Sequence, residues 1–145
     1  MDREAVRQFI KDKELTYVSA KDTGPFWGGL DRHADQVYEL FLTGDKESPS
    51  PTDIARYNTL LANLDRIMAD IYERTKQFLI GRGEDVWKKF KCSQLKLDII
   101  GLDESQSKGD LDILGSMMGS GFIFKKRVSF CASITNNEVT YFDIS

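Results

Sequence analysis

The chain has 145 residues, of which 41% are hydrophobic and 30% are charged, and its net charge is −3. This length suits one folded domain over residues 1–145, and the balance of apolar and charged residues excludes wholesale disorder. No apolar run approaches the ~20 residues that a membrane span needs. The acidic balance gives no overall attraction to nucleic acid or to an anionic membrane.

The first segment, DREAVRQFIKD, predicts a short amphipathic helix. Its apolar residues recur at helical spacing and would share one face: Ala5, Val6, Phe9 and Ile10. The segment also alternates in charge and lacks the apolar stretch of a signal peptide, so we expect a cytoplasmic protein.

Two strands and a turn should follow this helix. Residues 15–22 predict a short strand, and residues 23–32 (TGPFWGGLDR) predict a turn-rich stretch that carries Trp27. Residues 36–44 (QVYELFLTG) predict the second strand, whose alternation places three side chains on one face: Tyr38, Leu40 and Leu42. The N-terminal part therefore predicts an antiparallel hairpin.

The clearest pattern is helical and begins at Ser50. Ser50 suits the N-cap, Pro51 the first helical position and Asp53 the acidic position of a capping box. The side chains that follow at three- or four-residue spacing line one face: Ile54, Tyr57, Leu61, Leu64, Met68, Ile71, Thr75 and Phe78. This face favours packing on a sheet over a coiled-coil seam, because the chain holds many strand signals. Asn63 would cap a second segment if the helix breaks near Leu64.

The last third of the chain predicts strands, after a short helix around residues 84–90. Strand patterns occur at residues 95–99, 110–114 and 122–134, and TNNE at residues 135–138 predicts a hairpin turn. Because helical and strand blocks are separate, we predict the α+β class. We expect an antiparallel sheet of about five to six strands, with a long central helical block packed on one face and a short N-terminal helix.

The glycine-rich stretch GSMMGSGFIFKKRVSF, residues 115–130, does not match a phosphate-binding loop. A strand follows its glycines where such a loop requires a helix, so no helix dipole stands behind the backbone amides. Gly115, Gly119 and Gly121 are instead expected where the chain takes unusual dihedral angles or approaches another backbone. Alternation in the following strand predicts one mainly buried face: Phe122, Phe124, Val128 and Phe130.

The residue types that carry most chemistry form no recognisable site. Cys92, Cys131 and the single histidine, His33, supply too few ligands at no metal-binding spacing. We therefore expect reduced thiols, no metal and no cofactor. One alternative function is a small enzyme that uses His33 with a nearby carboxylate, since Asp31 and Asp35 flank it. Another is a structural or regulatory protein that associates with itself.

The densest acidity lies in residues 101–115, at Asp103, Glu104, Asp110 and Asp112. A solvated loop between strands is the simplest interpretation. The alternative is an acidic rim that faces a basic partner surface, where electrostatic attraction would speed association. Further candidate partner contacts are an aromatic residue and two methionines, because these residue types serve both cores and interfaces: Trp27, Met117 and Met118.

The order of these pieces resembles a group of small bacterial domains of unknown function that occur, as immunity proteins, beside polymorphic and contact-dependent growth-inhibition toxins. The likeness covers about residues 15–145 and lies in FWGG, QVYELFLTG, ARYNTLLANLDRIMADIYE, LKLDIIGLDE, GSGFIFKKRVSF and ITNNEVTYFDIS. It departs at Gly121, which is followed by Phe122 where such domains often carry histidine. The resemblance implies a non-catalytic monomer or weak dimer that neutralises a cognate toxin domain, such as a nuclease, by direct contact, without nucleic acid or membrane.

Overall fold

The computed structural model describes residues 2–20, 24–91, 93–101, 110–120 and 126–145. The helices are α1 (Arg3–Asp12), α2 (Pro51–Ala62), α3 (Leu64–Gly81) and α4 (Glu84–Lys88). The strands are β1 (Thr16–Ala20), β2 (Gly24–His33), β3 (Gln36–Thr43), β4 (Leu95–Gly101), β5 (Leu111–Met118), β6 (Arg127–Thr135) and β7 (Glu138–Ile144). These elements confirm the predicted α+β class.

The strands form a seven-stranded sheet whose spatial order follows the chain from β1 to β7. Neighbouring strands are antiparallel except for β3 and β4, which are parallel. Two details of the prediction are therefore wrong, because the sheet has more than five to six strands and is mixed. The helical block explains the parallel pair, since parallel neighbours need a long crossover connection, which α2, α3 and α4 supply.

Strand β2 occupies the stretch that the sequence predicted to be a turn. A side chain on Gly29 would come within 2.3 Å of the Lys13 carbonyl oxygen, and one on Gly28 would meet the Phe41 ring at 3.1 Å. The Leu30 amide donates to the same Lys13 carbonyl at 2.9 Å. These glycines therefore mark crowded positions inside a strand, and the turn prediction is wrong.

The helical block packs on one face of the sheet, as predicted. Tyr38, Leu40 and Leu42 are buried on that face. The helical side chains that join them in the core come from α2 and α3: Ile54, Tyr57, Leu60, Leu64, Ile67, Ile71 and Leu79. Phe78, predicted to face the core, is exposed, and the adjacent Leu79 is buried in its place.

The block is short, because it divides at Asn63 into helices of 12 and 18 residues, followed by the 5 residues of α4. The predicted break near Leu64 is therefore confirmed. Asn63 occupies the N-cap position of α3, as predicted, and its carbonyl oxygen accepts from the Ile67 amide at 3.0 Å, but its side chain makes no capping hydrogen bond.

The helix start at Ser50 is confirmed, although its capping box is only half formed. The Ser50 hydroxyl accepts from the Asp53 amide at 3.3 Å. The Asp53 carboxylate accepts from the Thr43 amide at 2.9 Å and also from the Thr43 hydroxyl. The Ser50 amide donates to the Thr43 carbonyl oxygen at 2.7 Å. Asp53 therefore links α2 to β3. In a full capping box its carboxylate would instead accept a hydrogen bond from the Ser50 amide.

The first glycine of the GSMMGSG stretch lies inside β5, where it approaches another backbone as predicted. A side chain on Gly115 would come within 2.2 Å of the Lys96 carbonyl oxygen and 2.6 Å of the Phe130 ring. One on Gly119 would come within 2.8 Å of the Phe90 ring. Residues of the same prediction that lie outside the described ranges are Gly121, Phe122 and Phe124.

Two further features of the C-terminal strands concern local backbone geometry. The β6–β7 turn is confirmed, with φ angles of 50° at Asn136 and 63° at Asn137. In β4 a bulge between Leu97 and Ile99 shifts the alternation, so Ile100 is buried and Ile99 only half-buried. Ile99 therefore does not share the buried face of Leu95 and Leu97, because the extra residue of a bulge reverses the faces beyond it.

Candidate protein interface

The sheet face opposite α2 and α3, here called the outer face, carries the candidate interface. One row of paired residues crosses it from β2 to β7: Leu30, Glu39, Ile99, Leu114, Cys131 and Asp143. A second row runs beside the first: Gly28, Phe41, Gly101, Asp112, Ser133 and Tyr141. Val37 of β3 and Met118 of β5 point to the same face, because side chains alternate along each strand.

Exposed apolar side chains concentrate on the outer face. Within the described ranges, six large hydrophobic residues are exposed, and four of them lie here: Leu30 (44% exposed), Val37 (48%), Met118 (41%) and Tyr141 (38%). Phe41, Ile99 and Leu114 are half-buried between them. The remaining two, Phe78 and Ile80, lie on α3. These residues are spread over the face from β2 to β7, and exposed apolar side chains on one sheet face are a feature of binding surfaces.

Charged side chains lie among the apolar residues of the outer face and at its edges. Asp98 lies between two cations, with Oδ1 3.6 Å from Lys96 Nζ and Oδ2 3.5 Å from Arg127 Nη2. Glu39 and Asp143 are exposed along the first row. The outer face therefore combines apolar and charged side chains, as protein–protein contact surfaces do.

The described part of the predicted acidic rim does not form a continuous exposed patch. Asp112 is buried on the outer face, where it accepts a hydrogen bond from the Ser133 hydroxyl at 2.7 Å. Asp110 accepts from the Asn136 amide at 3.3 Å and lies 3.9 Å from Arg56 Nη2. Both carboxylates have partners within the chain, and the interpretation of Asp112 as a partner contact is corrected. Two members of the cluster lie outside the described residues: Asp103 and Glu104.

Of the three apolar candidates for partner contact, only Met118 lies on the surface. Trp27 is buried, donates its indole N–H to the Asp45 carbonyl oxygen at 2.8 Å and packs on the Tyr17 ring. Met117 is fully buried. Trp27 and Met117 are therefore core residues, and their interpretation as partner contacts is corrected. The reason is the same for both, since each occupies the strand face that carries the helices.

His33 forms its close contact with a residue that is distant in sequence. Its Nε2 lies 2.7 Å from Oδ1 of Asp65 in the first turn of α3, and the Asp65 side chain is almost fully exposed. The flanking Asp31 has other partners, since it accepts from the Tyr57 hydroxyl and lies 3.1 Å from Lys13 Nζ. This contact joins the end of β2 to the first turn of α3 at the protein surface.

A buried polar cluster, not predicted from the sequence, lies beneath this surface pair. The hydroxyls of Tyr38 and Tyr57 are 2.5 Å apart, and Tyr57 donates to Asp31. Burial raises the pKa of Tyr38 to about 12. Burial and the hydrogen bond to Asp31 also raise the pKa of Tyr57. Both phenols therefore stay protonated near neutral pH and act as hydrogen-bond donors within the core.

The Cys131 thiol on the outer face is held in its less reactive, protonated form. The described ranges also bring no set of metal ligands together. Burial, followed by the charges of Asp112 and Asp143, raises the pKa of the Cys131 thiol. Cys92 lies outside the described residues. Among the residues that the structure describes, no three His, Cys, Asp or Glu side chains are placed to hold a metal ion. No helix in these ranges is long and apolar enough to cross a membrane.

Sequence reasoning missed most of the apolar surface. Leu30 lay in the supposed turn, so no face was assigned to it. Val37 and Phe41 did carry a signal, because they alternate with the buried side chains of β3 and make both faces of that strand apolar. Comparison of the chain with protein-family models, curated proteins and solved structures gives no match.

Proposed function

We propose that this protein binds another protein through the outer face and acts as an immunity protein, a stoichiometric and non-catalytic inhibitor of a toxin domain. The observation that carries the binding proposal is that four of the six exposed large hydrophobic residues in the described ranges share one sheet face: Leu30, Val37, Met118 and Tyr141. The immunity role rests on the resemblance in the order of sequence motifs. Neither part depends on a cofactor.

The dimensions of the outer face suit a protein partner. Six spacings of about 4.8 Å between seven strands give a width of about 29 Å. Strands of 7 to 8 residues, such as β3, β4 and β5, add a length of about 25 Å at about 3.3 Å per residue. The product, about 700 Å², is an upper bound, because Asp112, Ser116 and Ser133 of this face are buried within the chain, and it approaches the ~800 Å² that each partner contributes to a specific interface.

Charge supports a basic partner. The chain carries a net charge of −3 and its isoelectric point is about 5.2, so a toxin domain with a basic cleft would be attracted to it. Asp103 and Glu104 stay as the predicted acidic contacts. Asp110 and Asp112 are left out of this role, because each already accepts a hydrogen bond within the fold.

The experiment is affinity capture from the native host, followed by comparison of two surface variants. The test variant combines Leu30→Lys with Val37→Glu, because each new charge then stands opposite an opposite charge, Glu39 or Arg32. The control is Phe78→Glu on α3, which removes an apolar side chain of similar exposure and places a carboxylate four residues before Arg82. Both variants should fold.

We expect the captured partner to bind the unmodified protein and the Phe78→Glu variant in one-to-one ratio. It should not bind the Leu30→Lys/Val37→Glu variant. Expression of the partner alone should then arrest growth, and co-expression of the unmodified protein should restore it. Equal capture by both variants would overturn the outer face as the interface. A partner whose expression leaves growth unaffected would overturn the immunity role while leaving the interface intact.

A further inference from the structure

A cleft of about 640 Å³ lies between α2 and the turn that joins β6 to β7, on the helical side of the sheet. Leu60, Leu111 and Ile134 lie beneath it and are buried, and the exposed residues Pro51 and Ala55 of α2 supply its apolar lining. Polar side chains form the rim, among them Arg56 from α2 and Asp110 just before β5. A cleft of roughly 300–1,000 Å³ with an apolar lining and a few convergent polar groups is the usual form of a small-ligand site.

Arg56 is the group in this cleft that is best able to bind a ligand. Its Nη1 lies 3.8 Å from Asp53 Oδ1, and its Nη2 lies 3.9 Å from Asp110 Oδ1. Hydrogen bonds between a guanidinium and a carboxylate measure about 2.7–2.9 Å, so both contacts are too long to be hydrogen bonds. The two carboxylates are held in place by other donors, since Asp53 accepts from Thr43 and Asp110 accepts from the Asn136 amide.

We propose that this cleft binds a carboxylate carried on an apolar body of about the size of a leucine side chain. The carboxylate would form the paired short hydrogen bonds that Arg56 lacks, because a guanidinium presents two parallel N–H donors to a carboxylate. The apolar body would lie on the exposed side chains of Pro51 and Ala55. This chemistry has two sources, a free carboxylic acid and the C-terminal residue of a peptide. The proposal is independent of the outer face.

Substitution of Asp110 should change ligand affinity in the opposite direction to substitution of Arg56. Its carboxylate lies beside the same guanidinium and would repel the incoming ligand. An Asp110→Asn substitution removes that charge and keeps an oxygen for the Asn136 amide. Binding of a carboxylate should therefore strengthen several-fold in Asp110→Asn, whereas it should weaken by roughly tenfold or more in Arg56→Gln, as the loss of a charged hydrogen bond implies.

The experiment is an NMR titration of the ¹⁵N-labelled full chain with N-acetyl-leucine, and separately with acetyl-Gly-Gly-Leu. The uncharged N-acetyl-leucinamide is the control ligand. Arg74→Gln is the control variant, because the Arg74 side chain is 43% exposed against 44% for Arg56 and also lies near a carboxylate, that of Asp70. Amide spectra away from the cleft and from the substituted residue should be unchanged in every variant, which separates lost binding from lost folding.

Saturable shifts at Thr59, Asn136 and Asn137 with N-acetyl-leucine would support a free acid as the ligand, and shifts with acetyl-Gly-Gly-Leu alone would support a peptide terminus. In either case Arg74→Gln should bind like the unmodified chain. No shifts with either acid at millimolar concentration would overturn the proposal. Equal shifts with the amide, or an Arg56→Gln variant that binds as well as the unmodified chain, would overturn it too.

Discussion

The hydroxyl oxygens of Tyr38 and Tyr57 lie 2.5 Å apart in the core, where β3 meets α2. Tyr57 also donates to Asp31 in β2, and Lys13 Nζ lies 3.1 Å from the same carboxylate. The cluster thus joins four segments of the chain through polar contacts. In the described part of the chain, no buried side-chain nitrogen or oxygen lacks a partner, so these buried groups do not carry the penalty of unmade hydrogen bonds.

This cluster predicts a loss of stability at alkaline pH. Unfolded tyrosines release their protons near a pH of about 10, whereas burial holds the pKa of Tyr38 at about 12 and raises that of Tyr57. The raised pKa values add stability that is fully present below the unfolded value and is lost as the pH rises. Between pH ~10 and ~12 the free energy of unfolding should fall by about 1.4 kcal/mol per pH unit for each tyrosine.

Urea unfolding at several pH values from 8 to 11 measures this slope directly. The Tyr38→Phe/Tyr57→Phe variant is the control, because lysine titration affects both proteins and the tyrosine contribution affects only one. Above pH 10 the free energy of unfolding should therefore fall less steeply in the variant. Parallel curves for the two proteins would contradict the assignment.

The sequence predicted the features that depend on local chemistry. The Ser50-Pro51 helix start, the Asn136-Asn137 turn and the buried face of β3 were all correct, because caps, left-handed turns and alternation are local properties of the chain. The predicted helical stripe was correct in outline up to Thr75. Within it, Leu60 and Ile67 are the fully buried residues in place of Leu61 and Met68. These patterns suffice for the α+β class.

The features that failed depend on residues far apart in the chain. Gly29 belongs in a strand only because the Lys13 carbonyl lies against it, and no local pattern shows that contact. The bulge at Asp98 reverses the faces of Ile99 and Ile100 through pairing with β5. The same limit applied to the candidate interface, since Leu30 could be assigned to the outer face only after β2 was known to be a strand.

Because Gly115 lies close to the Lys96 carbonyl oxygen, we expect any side chain at this position to destabilise the protein strongly. A Gly115→Ala substitution would place a Cβ 2.2 Å from the Lys96 carbonyl oxygen, so β4 and β5 would have to separate. We expect a loss of about 1–3 kcal/mol or more in the free energy of unfolding, the usual range for overpacking. Gly81→Ala is the matched control, because nothing lies within 4 Å of its added Cβ.

Gly81 ends α3, where alanine favours the helix by up to about 1 kcal/mol relative to glycine. Gly81→Ala should therefore be neutral or stabilising. Chemical unfolding of both variants checks the pair, and a Gly115→Ala protein as stable as Gly81→Ala would show that β4 and β5 are spaced differently from the structure.

Substitution of Asp53 should lower the free energy of unfolding more than substitution of Ser50, although both residues lie at the start of α2. Asp53→Ala leaves the amide and hydroxyl of the half-buried Thr43 without their acceptor, which typically costs about 1–3 kcal/mol. Ser50→Ala removes only the cap, at a cost of about 1 kcal/mol. Asp53→Asn keeps one acceptor oxygen and should fall between the two. The order of the three unfolding free energies is the measurement, and a larger effect at Ser50 would refute the link between α2 and β3.

Cys131 offers a chemical reporter on the outer face. Because burial and the charges of Asp112 and Asp143 raise the pKa of its thiol, alkylation by iodoacetamide at pH 8 should be slower than for a free thiol. Asp143→Asn should speed the reaction by removing one of these charges. The measurements use a Cys92→Ser background, so that a single thiol reacts.

A protein bound on the outer face should protect Cys131, which lies in the first row between Leu114 and Asp143. We expect alkylation to slow further as the captured partner is added, with half-protection near the dissociation constant of the complex. The Leu30→Lys/Val37→Glu variant should show no protection at the same partner concentration. If the partner binds the unmodified protein tightly and leaves the rate at Cys131 unchanged, the complex uses another surface, and the outer face would have to be abandoned as the interface.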